Sequence, residues 1–426
     1  MHKKNILLIV HCLPYPLNSG GRQAIFNGIL AIKDDYDIFI TYPDSDTTQD
    51  RVDKQAFLTA IGENVKLLPF ITNNTVEDRS FIQKASCKLI ALLNKISKTK
   101  QAPSNPYSYW IEELLPKSKS YIEHICNIIK DYNIDAVQCE MVRNLPFVLS
   151  LPTHVKTIFV HHELGFTRHQ LELESLSSDF YDGQGICNWA KCLEISLLNK
   201  FDCVVTLSST DSQKLRNAGV TTRIHDSFAI VKSSQVANHV SDSPLELSFV
   251  GPDNHIPNLV GLKWFLDNSW TRLLQADANY HLRIIGKWSE TNISSLSSQY
   301  PNISFMGFVD NLKSAIQNTI MIVPITIGSG IRMKILEAAK IGIPFVSTSV
   351  GAEGIPVQNG RHCFLADNPS DFVDAILQLK DHEKRAMFIQ NAHQLIETSY
   401  SLEALRRNRL ALYASIFNNK ATNKQQ

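Results

Sequence analysis

Apolar residues in this chain fall into short runs that recur at a steady spacing. Residues 6–10, 37–41, 65–69, 136–139, 156–160 and 203–207 each predict a buried strand of a few residues. Between them the spacing changes to that of a helix. Ala24, Ile25, Ile29 and Ile32 share one face, residues 121–129 and 189–198 show the same period, and the polar run 208–211 can cap a helix through Leu215 that ends at Gly219. After residue 244 the alternation begins again. Strands are predicted over 247–250, 281–285, 303–306, 319–325 and 344–348, with Pro324 ending the fourth early. Helices are predicted over 259–274, 331–341, 371–379, 384–396 and 402–417. Strand and helix in regular succession is the rhythm of a parallel α/β sheet.

The serine-rich, unpatterned stretch 233–244 separates the two series and reads as a linker. The expected organisation is therefore an N-terminal Rossmann-like domain over 1–232, the linker 233–244, a C-terminal Rossmann-like domain over 245–400, and a final helix in 401–426 that returns to the first domain. A chain of 426 residues exceeds one ordinary core, which agrees with two domains. Residues 82–100 stand apart. Ile82, Ala85, Leu89, Leu92, Leu93 and Ile96 share a face, ringed by Lys84, Lys88, Lys95, Lys98 and Lys100. Such a helix can pack on its own domain or rest on an anionic membrane surface.

The strand-to-helix junctions carry the candidate chemistry. Gly328, Ser329 and Gly330 form a tight turn between a strand and a helix, and the open amides at such a helix start suit a phosphate. Arg332 and Lys334 add positive charge there, and Glu337 follows further along the helix. A second turn, Gly351-Ala352-Glu353-Gly354, follows the neighbouring strand, so two strand ends aim at one crevice suited to an anionic small molecule. Near the N-terminus, Gly20 and Gly21 stand between strand and helix, where a phosphate cradle and a simple turn are equally open readings. His161 and His162 directly follow a strand, a position on the rim of an α/β sheet, and either could hydrogen-bond a ligand or carry a proton. In the second half, His255 and Asn258 lie where a strand gives way to a helix, and Asn258 could cap that helix or hold a ligand.

Bulk properties exclude several classes. A formal net charge of +1 gives no long-range attraction to nucleic acid, and the arginines at 406, 407 and 409 read as a solvated helix face. No apolar stretch is long enough for a membrane span, and the run 6–10 is too short for a secretory signal. Eight scattered cysteines fit reduced thiols in a cytoplasmic protein, and no spacing suggests a metal site. Neither a GxGxxG fingerprint nor a GxSxG elbow occurs.

Taken in order, Phe249, Gly251, Pro257, Asn258, Gly286, Gly307, Asp310, Pro324, Gly328, Gly330, Arg332, Lys334, Glu337, Pro344, Gly351 and Gly354 form a specific series. In that series the chain resembles the GT-B-fold glycosyltransferases of family 4, also called group 1. The resemblance implies two Rossmann-like α/β domains facing a central cleft. It also implies transfer of a hexose-type sugar, with retention, from a nucleotide-diphosphate sugar to a hydroxyl of a glycan or lipid-linked acceptor. By the same resemblance Glu337 would hold the ribose hydroxyls, and Arg332 and Lys334 would face the diphosphate, aided by amides near Gly330, Gly20 and Gly21. Phe308 and Val309 would border the base, His255 and Asn258 would line the diphosphate side, and His161 would touch the transferring sugar. No metal or other cofactor is implied beyond the donor itself. Relatives of this kind build bacterial surface polysaccharides such as lipopolysaccharide in the cytoplasm, at the inner membrane face. One departure stands out: the position eight before Glu337, usually a second glutamate, is Ser329. That leaves a noncatalytic carbohydrate-binding protein as the alternative, with a nucleotide-sugar epimerase on the same fold as another.

Overall fold

The structure, a computed structural model, describes residues 3–62, 64–71, 110, 113–115, 117–175, 183–231 and 246–418. The amphipathic segment 82–100 and the linker 233–244 lie outside the described residues. The chain divides into two compact units, Met1–Phe228 with Leu405–Gln426, and Ala229–Ala404.

The first unit is built on seven parallel strands: β1 (Asn5–Ile9), β2 (Asp37–Thr41), β3 (Val65–Leu67), β4 (Ala136–Glu140), β5 (Lys156–His161), β6 (Cys203–Thr206) and β7 (Arg223–Asp226). They lie side by side in the order β3-β2-β1-β4-β5-β6-β7. The chain leaves β1 in one direction and returns to its other side at β4, which opens a crevice beyond the ends of those two strands. The central strands are mostly apolar because helices cover both faces, with polar residues such as Gln138 and Glu140 in β4 and His161 at the end of β5. Ile6, Leu7, Leu8 and Ile9 of β1 are all sealed from solvent. The helices are α1 (Gly20–Leu30), α2 (Thr48–Ile61), α3 (Lys119–Asp131), α4 (Gly165–Ser175), α5 (Gly183–Leu198) and α6 (Ser209–Asn217). The polar α2 and α4, and the polar edge strand β7, are structure that apolar periodicity does not announce.

The second unit holds six parallel strands: β8 (Glu246–Val250), β9 (His281–Ile285), β10 (Ile303–Gly307), β11 (Ile320–Val323), β12 (Phe345–Ser347) and β13 (Phe364–Leu365). Their order is β10-β9-β8-β11-β12-β13, so its switch point lies between β8 and β11. The helix expected over 259–274 is three pieces: α7 (Ile256–Phe265), a π-turn at Leu266–Trp270, and α8 (Thr271–Ala276). Then follow α9 (Glu290–Gln299), α10 (Leu312–Ile316), α11 (Met333–Ile341), α12 (Pro369–Gln378) and α13 (His382–Ser399). Gly261 lets α7 press onto the strand layer, since a Cβ there would lie 2.6 Å from the Pro324 carbonyl oxygen.

A last helix, α14 (Leu402–Asn418), packs in the first unit along most of its length. Arg406 pairs with Asp35 at 2.8 Å, and the Tyr413 hydroxyl donates to Gln138 Oε1 at 2.5 Å. Tyr413 is fully buried, with its ring 5.0 Å from that of Tyr36. Among the described residues no helix is long and apolar enough to cross a membrane.

Candidate functional site

The second unit gathers most of the residues singled out by the sequence. Beyond β11, Gly328 and Gly330 adopt φ of +124° and +77°, a backbone that side chains resist. This strain turns the chain into α11, whose N-cap is Arg332. Arg332 is buried, and its guanidinium donates from one nitrogen to the carbonyls of both Ser329 and Gly330. It therefore braces the turn as well as charging it. Ser329 is buried too, and its hydroxyl has no hydrogen-bond partner among the described residues.

Lys334 lies in the first turn of α11, and Glu337 sits three residues on, on the same face. Its stem keeps some exposure, but the ammonium group is packed among protein atoms. Lys334 Nζ donates to Asn258 Oδ1 at 2.8 Å and lies 5.0 Å from the centre of the Phe249 ring. Burial, then the charge of Arg332, lowers its pKa to about 7, with Glu337 acting in the opposite sense. A helix start is the positive end of the helix dipole, so two cations there are electrostatically unfavourable on their own. An anion would relieve that arrangement.

Asn258 sits inside the first turn of α7 and not at its cap, which is His255. The second turn adds small-residue geometry: Gly351 N donates to Thr348 Oγ1 at 2.8 Å, and a Cβ on Gly351 would lie 2.5 Å from Ser347 Oγ. Phe308 is 63% exposed at the loop after β10, and Val309 beside it is half-buried. His255 is exposed.

The first unit brings together a different set. Gly20 and Gly21 are the opening residues of α1, capped by Ser19, whose hydroxyl accepts from Arg22 N at 3.4 Å. Neither needs a left-handed backbone; at Gly21 a Cβ would meet the Met141 methyl at 2.6 Å. Near the same strand ends, burial and then the charges of Arg143, His162 and Arg22 push the His11 imidazole down to about 4.

The paired histidines part company. Successive strand residues face opposite sides. The His161 imidazole is sealed, and its Nε2 lies 2.8 Å from Glu194 Oε1. Glu194, itself fully buried on α5, also accepts from the amides of Gly165 at 3.1 Å and Phe166 at 2.8 Å at the start of α4. The imidazole expected to touch a transferring sugar thus presents no exposed edge. His162 keeps a little exposure and bonds Glu140 Oε2 at 2.6 Å. Gln138 Nε2 donates to the other oxygen of Glu140 at 2.5 Å, which links His162 through Gln138 to Tyr413 of α14. Sequence reading predicted the helix that carries Glu194 but not the residue's role, since it lies 33 positions from His161. Among the described residues no group of three or more His, Cys, Asp or Glu is placed to hold a metal ion.

Residues 245–382 match the family described as glycosyl transferases group 1. The match lies within the second unit, and the fold is GT-B. A TarM variant from S. aureus, crystallised with Fondaparinux, α-GlcNAc-glycerol and UDP, is similar in structure with a TM-score of 0.68 at 14% identity, covering 98% of this chain and 100% of that one. Sucrose-phosphate synthase from Thermosynechococcus elongatus aligns with a TM-score of 0.66 at 14% identity, over 98% and 100% of the two chains. HepE of Anabaena, in complex with UDP, gives 0.62 at 12% identity, over 97% and 100%. No curated protein matches in sequence. At these identities the structural likeness speaks for the fold alone, and the chemistry follows from the chain's own side chains.

Proposed function

We propose that this protein is a retaining glycosyltransferase that moves a hexose-type sugar from a nucleotide-diphosphate sugar to a hydroxyl of a glycan or lipid-linked acceptor. One observation carries the reading: Lys334 and Arg332 stand together at the open amino end of α11, immediately after a strained glycine turn. That is a seat for a diphosphate. The donor's diphosphate lies against the first amides of α11 and the Lys334 ammonium, while Arg332 keeps the turn in shape. Glu337 accepts hydrogen bonds from the ribose hydroxyls, and Phe308 and Val309 border the base.

Transfer develops negative charge on the departing diphosphate. Fixed positive charge and aligned amides stabilise that state more than the ground state, and each such contact is worth about a hundredfold in rate. With retention at the anomeric carbon, the leaving phosphate oxygen takes the acceptor proton on the same face. No carboxylate of the second unit is asked to form a covalent intermediate. Because several structural relatives were crystallised with UDP or UDP-glucose, UDP-sugars are the first donors to test.

The experiment is a panel of nucleotide sugars, screened first for binding and then for transfer to lipid-linked acceptors extracted from cells. A donor that binds and yields an acceptor-dependent, retained product is the expected result. Binding without product would favour the noncatalytic reading, which Ser329 in place of the second glutamate encourages. Conversion of the donor without acceptor would favour an epimerase.

A further inference from the structure

Asn258 is buried at 5% exposure, yet it caps nothing. Its amide instead joins two elements. Nδ2 donates to the Pro252 carbonyl at 3.0 Å, and Oδ1 accepts from Lys334 Nζ at 2.8 Å. The first bond settles the second: with its NH2 spent on a carbonyl, the amide turns its oxygen to the ammonium.

The backbone around it is shaped for this contact. Gly251 has φ +148°, and a Cβ there would fall 2.4 Å from Asn258 Nδ2. Gly251 is fixed in turn, with its N–H donating to the Ile285 carbonyl at 2.8 Å and its carbonyl accepting from Trp288 Nε1 at 2.9 Å. Gly286, at φ +136°, leaves room for that approach, since a Cβ on it would lie 2.7 Å from Gly251. The ends of β8 and β9 therefore hold Asn258, and Asn258 holds Lys334.

The groups facing the ammonium can be named. Arg332 and Glu337 act on it from its own turn and helix, the neutral Asn258 oxygen from α7, and the Phe249 ring from β8. An aspartate at 258 would cancel the charge that a phosphate needs, and an alanine would leave the ammonium unheld. We propose that Asn258 is a positioning residue, which holds the Lys334 ammonium for the donor diphosphate without neutralising it. The proposal rests on the donor-binding reading above. One N–H of the ammonium is spent on Oδ1, and two remain for phosphate oxygens. Hydrogen bonding to the charged form also favours protonation and offsets part of the effect of burial.

The test reads Lys334 directly. Its titration is followed by NMR of isotope-labelled lysine methylenes in the full chain, with the signal assigned by its loss in Lys334→Arg. Wild type, Asn258→Ala and Asn258→Asp are compared, and UDP affinity is measured on the same samples across neutral pH. Asn258→Ala should move the titration to lower pH and weaken UDP binding at neutral pH by about tenfold. Asn258→Asp, nearly the same shape, should move it to higher pH and still weaken binding, because its carboxylate competes with the phosphate. Opposite shifts cannot come from a merely structural role. An unmoved titration in Asn258→Asp would overturn the proposal even if Asn258→Ala failed to fold. If the titrations shift as stated while neither UDP nor any other nucleoside diphosphate binds wild type, the donor reading falls and takes the diphosphate role of the clamp with it. If UDP binds equally well in all three proteins, the clamp falls and the donor reading survives.

Discussion

The two sheets share the order of their first six strands but differ in the charge they gather at their rims. In the first unit the polar groups at the strand ends are matched with each other. His161 faces Glu194, His162 faces Glu140, and Glu113 lies between Arg143 at 3.5 Å and Arg168 at 2.7 Å. In the second unit Arg332 and Lys334 crowd one helix start, with Glu337 the carboxylate that opposes them in setting the Lys334 pKa. Matched pairs stabilise and orient a fold, whereas two cations gathered at one helix start suit an anionic ligand. The shared topology says where a ligand can lie, and the charge pattern says which rim is built for an anion.

Substitutions can break this contrast at either end. The largest effect on stability is expected from Glu194→Ala, which strands the His161 imidazole and two amides in the interior. Unfolding by denaturant should show a loss of about 3–5 kcal/mol, with nucleoside-diphosphate affinity of the folded protein unchanged. Lys334→Ala should do the reverse. Turnover should fall about a hundredfold or more, while the thermal midpoint stays close to wild type; unchanged turnover would remove Lys334 from the chemistry.

Raising the pH sharpens the same point. Below about 7 Lys334 is charged in both folded and unfolded chains; above it the folded protein gives up a proton that the unfolded chain keeps until near the ordinary lysine value of 10.5. Between those limits Lys334 contributes a gain in stability with rising pH, while diphosphate affinity declines. Stability and affinity moving together there would contradict the assignment.

Glycine substitutions give the smallest and most discriminating contrast. Gly330→Ala forces a side chain into φ +77° and should cost about 1–2 kcal/mol as well as weaken diphosphate binding. Gly20→Ala, in an ordinary helical turn, should raise stability by about 0.4–1 kcal/mol.

How much of this the sequence discloses follows the range of the interactions. The glycine turn before α11, the cations beside it and the buried strands are local patterns, legible from spacing alone. Asn258 was legible as a residue of interest, but its bond to Lys334 spans 76 positions and only the fold reveals it. The same distance effect hid Glu194. Strand β7 escaped because Arg223 to Asp226 form a polar edge strand, and α2 because its helix-forming residues are mostly polar and half-exposed. His161 and His162 look equivalent in sequence; successive positions turn them to different partners, His161 sealed against Glu194 and His162 keeping a little exposure beside Glu140.

The most direct measurement is a crystal structure of the protein with a bound nucleoside diphosphate. The account predicts phosphate oxygens within hydrogen-bond reach of Lys334 Nζ and the first amides of α11, with the ribose at Glu337. A diphosphate seated elsewhere, with Lys334 still turned only to Asn258, would contradict it.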